Sequence, residues 1–167
     1  MGKRLLKYLA ILLVALGGCG ADRQSKLWAK ENLKDKPAVT LVKHFVDLGF
    51  TENRGMVFGI LNGKMPEFAG IITAGFRVLI LLALMPFIWS NRGKAFLFLL
   101  PFLFFWVGAA GNLVDLFVYG YVIDFIHIQA GNALNRPFYF NLADAFITAG
   151  MVLLFIRWHK FSFGKRT

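Results

Sequence analysis

Residues 111–150 read GNLVDLFVYG YVIDFIHIQA GNALNRPFYF NLADAFITAG. The stretch closes one apolar run at Asn112–Asp115 and passes through YGYVIDFIHI, which is too short to span a membrane and rich in β-branched and aromatic residues. It then crosses a turn-rich link at Gly131–Pro137 and opens a second apolar run at Asn141. Three of the nine acidic residues fall here, Asp115, Asp124 and Asp144. An ionised side chain at the centre of a membrane helix costs on the order of 2.5–3.5 kcal/mol. Such residues usually face a bundle interior or a cavity and mark a functional site.

Working outward, the whole chain follows the same logic. It has 167 residues, 57% of them hydrophobic, with 19 Phe. That composition is too apolar for an ordinary soluble domain and predicts one integral membrane domain, residues 1–167. Approximate spans are 5–28, 70–89, 95–114 and 140–158. Regions 29–69 and 115–139 lie outside the membrane and carry short strands, one within Thr40–Phe50 and one over Tyr119–Ile128. Thr51–Gly59 (TENRGMVFG) reads as a turn or loop. The residues therefore predict four transmembrane helices with short strands outside the membrane.

The net charge of +10 does not imply nucleic acid, because the basic residues flank apolar runs, where they suit anionic headgroups. Nine of them, Lys3, Arg4, Lys7, Arg92, Lys94, Arg157, Lys160, Lys165 and Arg166, fall on the side of the termini with no acid among them. This clustering puts both termini in the cytoplasm and the polar face outside. One cysteine excludes an internal disulfide framework, and no zinc motif or Gly-rich phosphate loop is present.

The first span carries two readings. Tyr8–Ala21 has the length of a signal-peptide hydrophobic region, and Leu16-Gly17-Gly18-Cys19 looks like a lipoprotein cleavage site. In the other reading the helix runs uncut to about Trp28, with Asp22 and Lys26 four apart on one face, where they pair. The uncut helix is favoured because the rest of the chain needs it. Four spans bring the end of the first, the end of the third and the start of the fourth to one side. Asp22, Lys26, Asn112, Asp115, Asn141 and Asp144 therefore collect at one face.

Asn112–Phe117 and Asn141–Phe146 share the pattern N-L-x-D-x-F. In the second copy Asn141 is a favoured helix N-cap, and an acid three residues on suits the positive helix start. That role and a catalytic one both stand for Asp144. For Asp115 a helix-end polar role outweighs catalysis. Asp124 sits mid-strand between Ile123 and Phe125, where an acid is poorly suited to β-structure. Two close, poorly solvated carboxylates cannot both ionise cheaply, so such a pair shares a proton. That is the logic of aspartic proteases. The rival nucleophiles are poor: Ser25, Ser90 and Ser162 have no His placed to serve them, since His159 falls on the opposite face, and Cys19 has no evident base. The residues thus point to Asp124 and Asp144 as a catalytic pair in a membrane protease.

These motifs resemble those of the signal peptidase II (lipoprotein signal peptidase) family over nearly the whole chain. Asp22 and Lys26 match its D-x-x-x-K segment. Asn53, Gly55 and Phe58 match its N-x-G-x-A-F, with Val57 in place of Ala. Gly111, Asn112 and Asp115, then Gly120 and Val122 to Phe125, match G-N-x-x-D-R…G-x-V-x-D-F. Phe140, Asn141, Ala143 and Asp144 match F-N-x-A-D. The resemblance implies four membrane helices that carry a small extracytoplasmic β-cradle, in a bacterial inner-membrane enzyme without cofactor or metal. Asp124 and Asp144 would cut diacylglyceryl-modified prolipoproteins before the lipidated cysteine. Asn53, Asn112, Asp115, Asn141, Asp22 and Lys26 would bind or orient the substrate and the dyad, and globomycin would block the site. One departure stands out: Leu116 occupies the position of the family's Arg, expected to contact substrate. Arg77 and Arg136 are the candidate replacements. A binder that no longer cuts is the alternative that Leu116 raises, and a proton-coupled transporter lacks the inverted repeat that class shows.

Overall fold

The computed structural model describes residues 2–54, 66–129 and 138–163, with side chains described outside 66–70 and 160–163. Gly55, Val57, Phe58 and Arg136 lie outside the described residues. The elements run α1 (Gly2–Asn32), β1 (Val39–Val42), β2 (Val46–Asn53), α2 (Pro66–Ser90), α3 (Phe96–Tyr119), β3 (Val122–Ile128), β4 (Phe138–Phe140) and α4 (Leu142–Phe163). Among the described residues, four helices are long and apolar enough to cross a membrane. Their outer faces expose large apolar side chains, among them Leu13, Leu79, Leu97 and Phe155, each about 65–75% exposed. In water such a surface would drive aggregation; in a bilayer it is the required one.

α3 is the central helix and packs on α1, α2 and α4. Rings of Phe87, Phe98 and Phe102 tie α2 to α3. Between α3 and α4 the contact depends on small residues, because helices in lipid associate by close packing rather than by hydrophobic burial. A side chain at Gly108 would collide with the Ala143 carbonyl, and one at Gly150 would come within 2.9 Å of the Pro101 carbonyl. Pro86 and Pro101 both lie inside helices. α1 is continuous across Leu16–Cys19, and Gly18 sits so close to α3 that a Cβ there would lie 2.7 Å from Val107.

The four strands form one antiparallel sheet in the order β1-β2-β3-β4. Tyr121, Ile123 and Phe125 pack with Ala29 of α1 and with Leu33 just past its end, so the sheet rests on the end of the first helix. Full burial of a side chain such as Ile123 contributes roughly 1.5–3 kcal/mol.

Several boundaries differ from the sequence reading. Thr40–Phe50 holds a hairpin of two strands. Thr51–Asn53 is strand rather than loop, because these residues pair with Asp124, Ile123 and Val122 across a register shift after Leu48. The third helix runs a further turn past Val114 to Tyr119. It continues through Asp115 because that carboxylate is neutralised inside the protein. Gly120 then ends it with φ 75°, its N–H bonding the Leu116 carbonyl at 3.0 Å. Glycine adopts this left-handed conformation without steric cost. Tyr119 is therefore helical, and the strand begins at Val122. Phe140 belongs to β4, leaving Asn141 as the N-cap of α4.

Candidate active site

Two linked polar clusters fill the junction between the helix ends and the sheet. The first is ionic. Lys26 of α1 is fully buried and contacts two carboxylates that are buried as well, Asp22 at 2.8 Å and Asp115 at 3.0 Å. Each acid is also tied to backbone. Asp22 accepts from the Ala143 N–H at 2.8 Å, and Asp115 accepts from the Ile123 N–H at 3.1 Å. The first bond satisfies one of the unpaired N–H groups at the start of α4. The second fixes β3 to the end of α3. Arg23 completes the group, 3.4 Å from Asp115.

The second cluster is built on three asparagines and two aspartates. Asn141 caps α4 in reciprocal fashion: its side-chain oxygen accepts from the Asp144 N–H at 3.0 Å, and its own N–H donates to the Asp144 carboxylate at 3.1 Å. This is a capping box with Asp in the acidic position. The Asn141 amide also donates to Asp124 at 2.7 Å and to the Asn112 oxygen at 3.0 Å. Asn112 in turn donates to Asp144 at 2.9 Å and accepts from Lys26 at 2.9 Å. Asn53, at the end of β2, donates to the other oxygen of Asp124 at 2.9 Å. A single residue, Asn141, thus donates to both aspartates, and Lys26 joins the two clusters through Asn112.

The two aspartates stand in different surroundings. Asp124 on β3 is 1% exposed, whereas Asp144 is half-buried. Burial, then the charge of Asp144, pushes the Asp124 carboxyl up to about 6, while hydrogen bonds from Asn53 and Asn141 and the field of Lys26 act in the opposite sense. A carboxyl so placed holds its proton into the near-neutral range. Every carboxylate oxygen of the pair accepts one amide or backbone N–H and keeps lone-pair capacity for a proton or water.

Residues 14–160 match the family model described as Signal peptidase (SPase) II. The chain belongs to the signal peptidase II family. A lipoprotein signal peptidase of Clostridium acetobutylicum is 32% identical over 148 residues, 89% of this chain and 92% of that protein. One of Chlorobaculum parvum is 35% identical over 141 residues, 80% and 85% of the two chains. A bacterial membrane enzyme solved by the in meso method superposes with a TM-score of 0.75 at 27% identity, covering 94% of this chain and 92% of that one. A second gives a TM-score of 0.68 at 25% identity, covering 89% and 92%.

In this signal peptidase II chain all eight residues singled out from the sequence, Asp22, Lys26, Asn53, Asn112, Asp115, Asp124, Asn141 and Asp144, enter the two clusters. Asp115 is one of the two buried carboxylates paired with Lys26. Sequence reasoning missed Arg23. A guanidinium does stand beside Asp115, but it comes from α1 rather than from the position of Leu116, and also donates to the Tyr119 hydroxyl at 2.8 Å. The available signal was its position directly after Asp22. Arg77 on α2 is half-buried and acts electrostatically on Asp144, then on Asp124 and Asp115.

Proposed function

We propose that the chain is an aspartic endopeptidase of the membrane that removes signal peptides from diacylglyceryl-modified prolipoproteins, cutting before the lipidated cysteine. The relatives' name, lipoprotein signal peptidase, supports a lipoprotein precursor as the substrate. The observation that carries the mechanism is the linkage of Asp124 and Asp144 through Asn141. The reaction begins with one proton on the pair. The ionised aspartate takes a proton from water as the water oxygen bonds to the scissile carbonyl carbon. The protonated aspartate gives its proton to the carbonyl oxygen, producing a gem-diol. One aspartate then gives its proton to the departing nitrogen while the other takes a proton from a gem-diol hydroxyl, so that the C–N bond breaks, an amine and a carboxylic acid leave, and the pair again holds one proton. Asn53, Asn112 and Asn141 hold the carboxylates in place, and Lys26 holds Asn112. The pair lies where the helices meet the sheet, on the extracytoplasmic side of a bacterial inner membrane, with both termini in the cytoplasm.

The test is cleavage by the purified full chain of a diacylglyceryl-modified prolipoprotein, read by gel shift and by mass of the new N-terminus. Release of a fragment beginning at the lipidated cysteine, blocked by globomycin, is expected. The same precursor without its diacylglyceryl group should be cut poorly. Binding without cutting, alongside an active relative as control, would favour the alternative in which this chain holds lipoproteins intact.

The pH profile gives a second expected result. Loss of the shared proton as pH rises through the upper pKa of the pair ends activity on the alkaline side. The Asn53 amide favours the ionised form of Asp124. Asn53→Leu removes that bond, so the pKa rises from about 6 and the alkaline limb of kcat/KM moves to higher pH. An unmoved or acid-shifted limb would separate Asp124 from the titration that governs rate.

A further inference from the structure

Two cations converge on one aromatic ring at the outer edge of the bundle. The Lys30 ammonium stands 4.1 Å from the centre of the Tyr119 ring, and the Arg23 guanidinium stands 5.1 Å from the same centre. Arg23 and Lys26 are balanced by Asp22 and Asp115. Lys30 has no carboxylate partner among the described residues. Next to it, Lys34 lies over Phe50 and Arg54 over Tyr121, and these two cations share the single carboxylate of Glu52, at 3.5 and 3.2 Å. Tyr119 and Tyr121 stack on each other at 5.8 Å, which makes the basic groups one continuous face. That face therefore carries unmatched positive charge held against aromatic rings.

Its height in the fold identifies the partner. Arg23 lies two residues past the end of the apolar run Tyr8–Ala21, and Tyr119 is the last residue of α3. Both mark the level at which spans leave the apolar layer, where tyrosine rings and lipid phosphates lie. Leu9, Leu16, Arg23 and Lys30 recur every seven residues and so share one face of α1. Leu9 and Leu16 are 53% and 66% exposed, an apolar track directly beneath the cations. An anion between Lys30 and Arg23 relieves their repulsion, and acyl chains continue along Leu16 and Leu9.

We infer that Arg23, Lys30 and Tyr119 form a seat for the phosphate of an anionic membrane phospholipid, with Lys34 and Arg54 extending its positive field. The seat is separate from the aspartate pair and binds lipid whether or not substrate is present. A juxtamembrane cation adds about fivefold to anionic-lipid affinity.

Native mass spectrometry of the full chain, titrated in micelles with phosphatidylglycerol and separately with phosphatidylcholine, tests this. The parent should bind phosphatidylglycerol more tightly. Lys30→Gln should raise the Kd for the first phosphatidylglycerol about fivefold and leave phosphatidylcholine unchanged, and Lys30→Arg should restore the parent value. Equal affinities of parent and Lys30→Gln for phosphatidylglycerol would overturn the assignment. So would displacement of the lipid by millimolar inorganic phosphate at constant ionic strength, which would make the seat a site for a soluble anion. Loss of binding in both Lys30→Gln and Lys30→Arg would trace the effect to packing rather than charge, and would overturn it too.

Discussion

Asp124→Asn should abolish prolipoprotein cleavage, lowering kcat by about 10³-fold or more, while the protein stays folded. The amide cannot ionise, so the pair loses the group that carries its exchangeable proton. Its shape is nearly that of the carboxylate. One oxygen still accepts from Asn53 or Asn141, and the cost is one hydrogen bond, about 1 kcal/mol. Against that, the substitution removes a buried carboxyl whose ionised form is disfavoured by burial and by Asp144. Thermal unfolding in detergent should therefore show little change. The decisive comparison is the rate at equal folded fraction. Cleavage within tenfold of the parent would mean that Asp124 moves no proton in the reaction, and the paired-aspartate mechanism would fail. Asp144→Asn should be equally inactive but less stable, because Asp144 also bonds the Asn141 N–H at the start of α4.

Lys26→Met should be the most destabilising single change in the chain. Lys26, Asp22 and Asp115 are each no more than 1% exposed. Removing the cation leaves two carboxylates buried beside each other without their counterion. Breaking a buried ion pair in this way costs on the order of 3–5 kcal/mol. The loss should appear as a lowered thermal midpoint, with activity falling further than stability because Asn112 also loses its contact with Lys26. Adding Asp22→Asn and Asp115→Asn to Lys26→Met should recover much of the stability, since replacing a whole buried ionic group is far cheaper than breaking it. Activity should stay low in that triple variant if Lys26 positions the aspartates through Asn112. A single variant with an unchanged midpoint would show that the ionic group is hydrated and not the buried tie described above.

Three apolar runs of spanning length, and a shorter first run that spans once its helix continues through Asp22 and Lys26, determined by themselves that this is a four-helix membrane protein. Even spans also dictated which helix ends share a side, and so grouped Asp22, Lys26, Asn112, Asp115, Asn141 and Asp144 before any coordinates. The capping role of Asn141 was legible for a local reason: a cap is a contact within four residues. What the tertiary structure alone decided are the contacts across long sequence separations. The reach of Asn53 to Asp124 depends on strand register and a bulge after Leu48, which no local pattern encodes. The extension of α3 past Asp115 depends on Lys26, which lies in another helix. The placement of Arg23 beside Asp115 depends on the rotation of α1 against α3, where a close approach at Gly18 sets the helix separation. Apolar periodicity fixes which segments enter the bilayer, but in lipid both sides of a helix are apolar. The rotation of each helix is therefore set by the buried polar groups and small residues that must find partners, and those partners exist only in the assembled bundle.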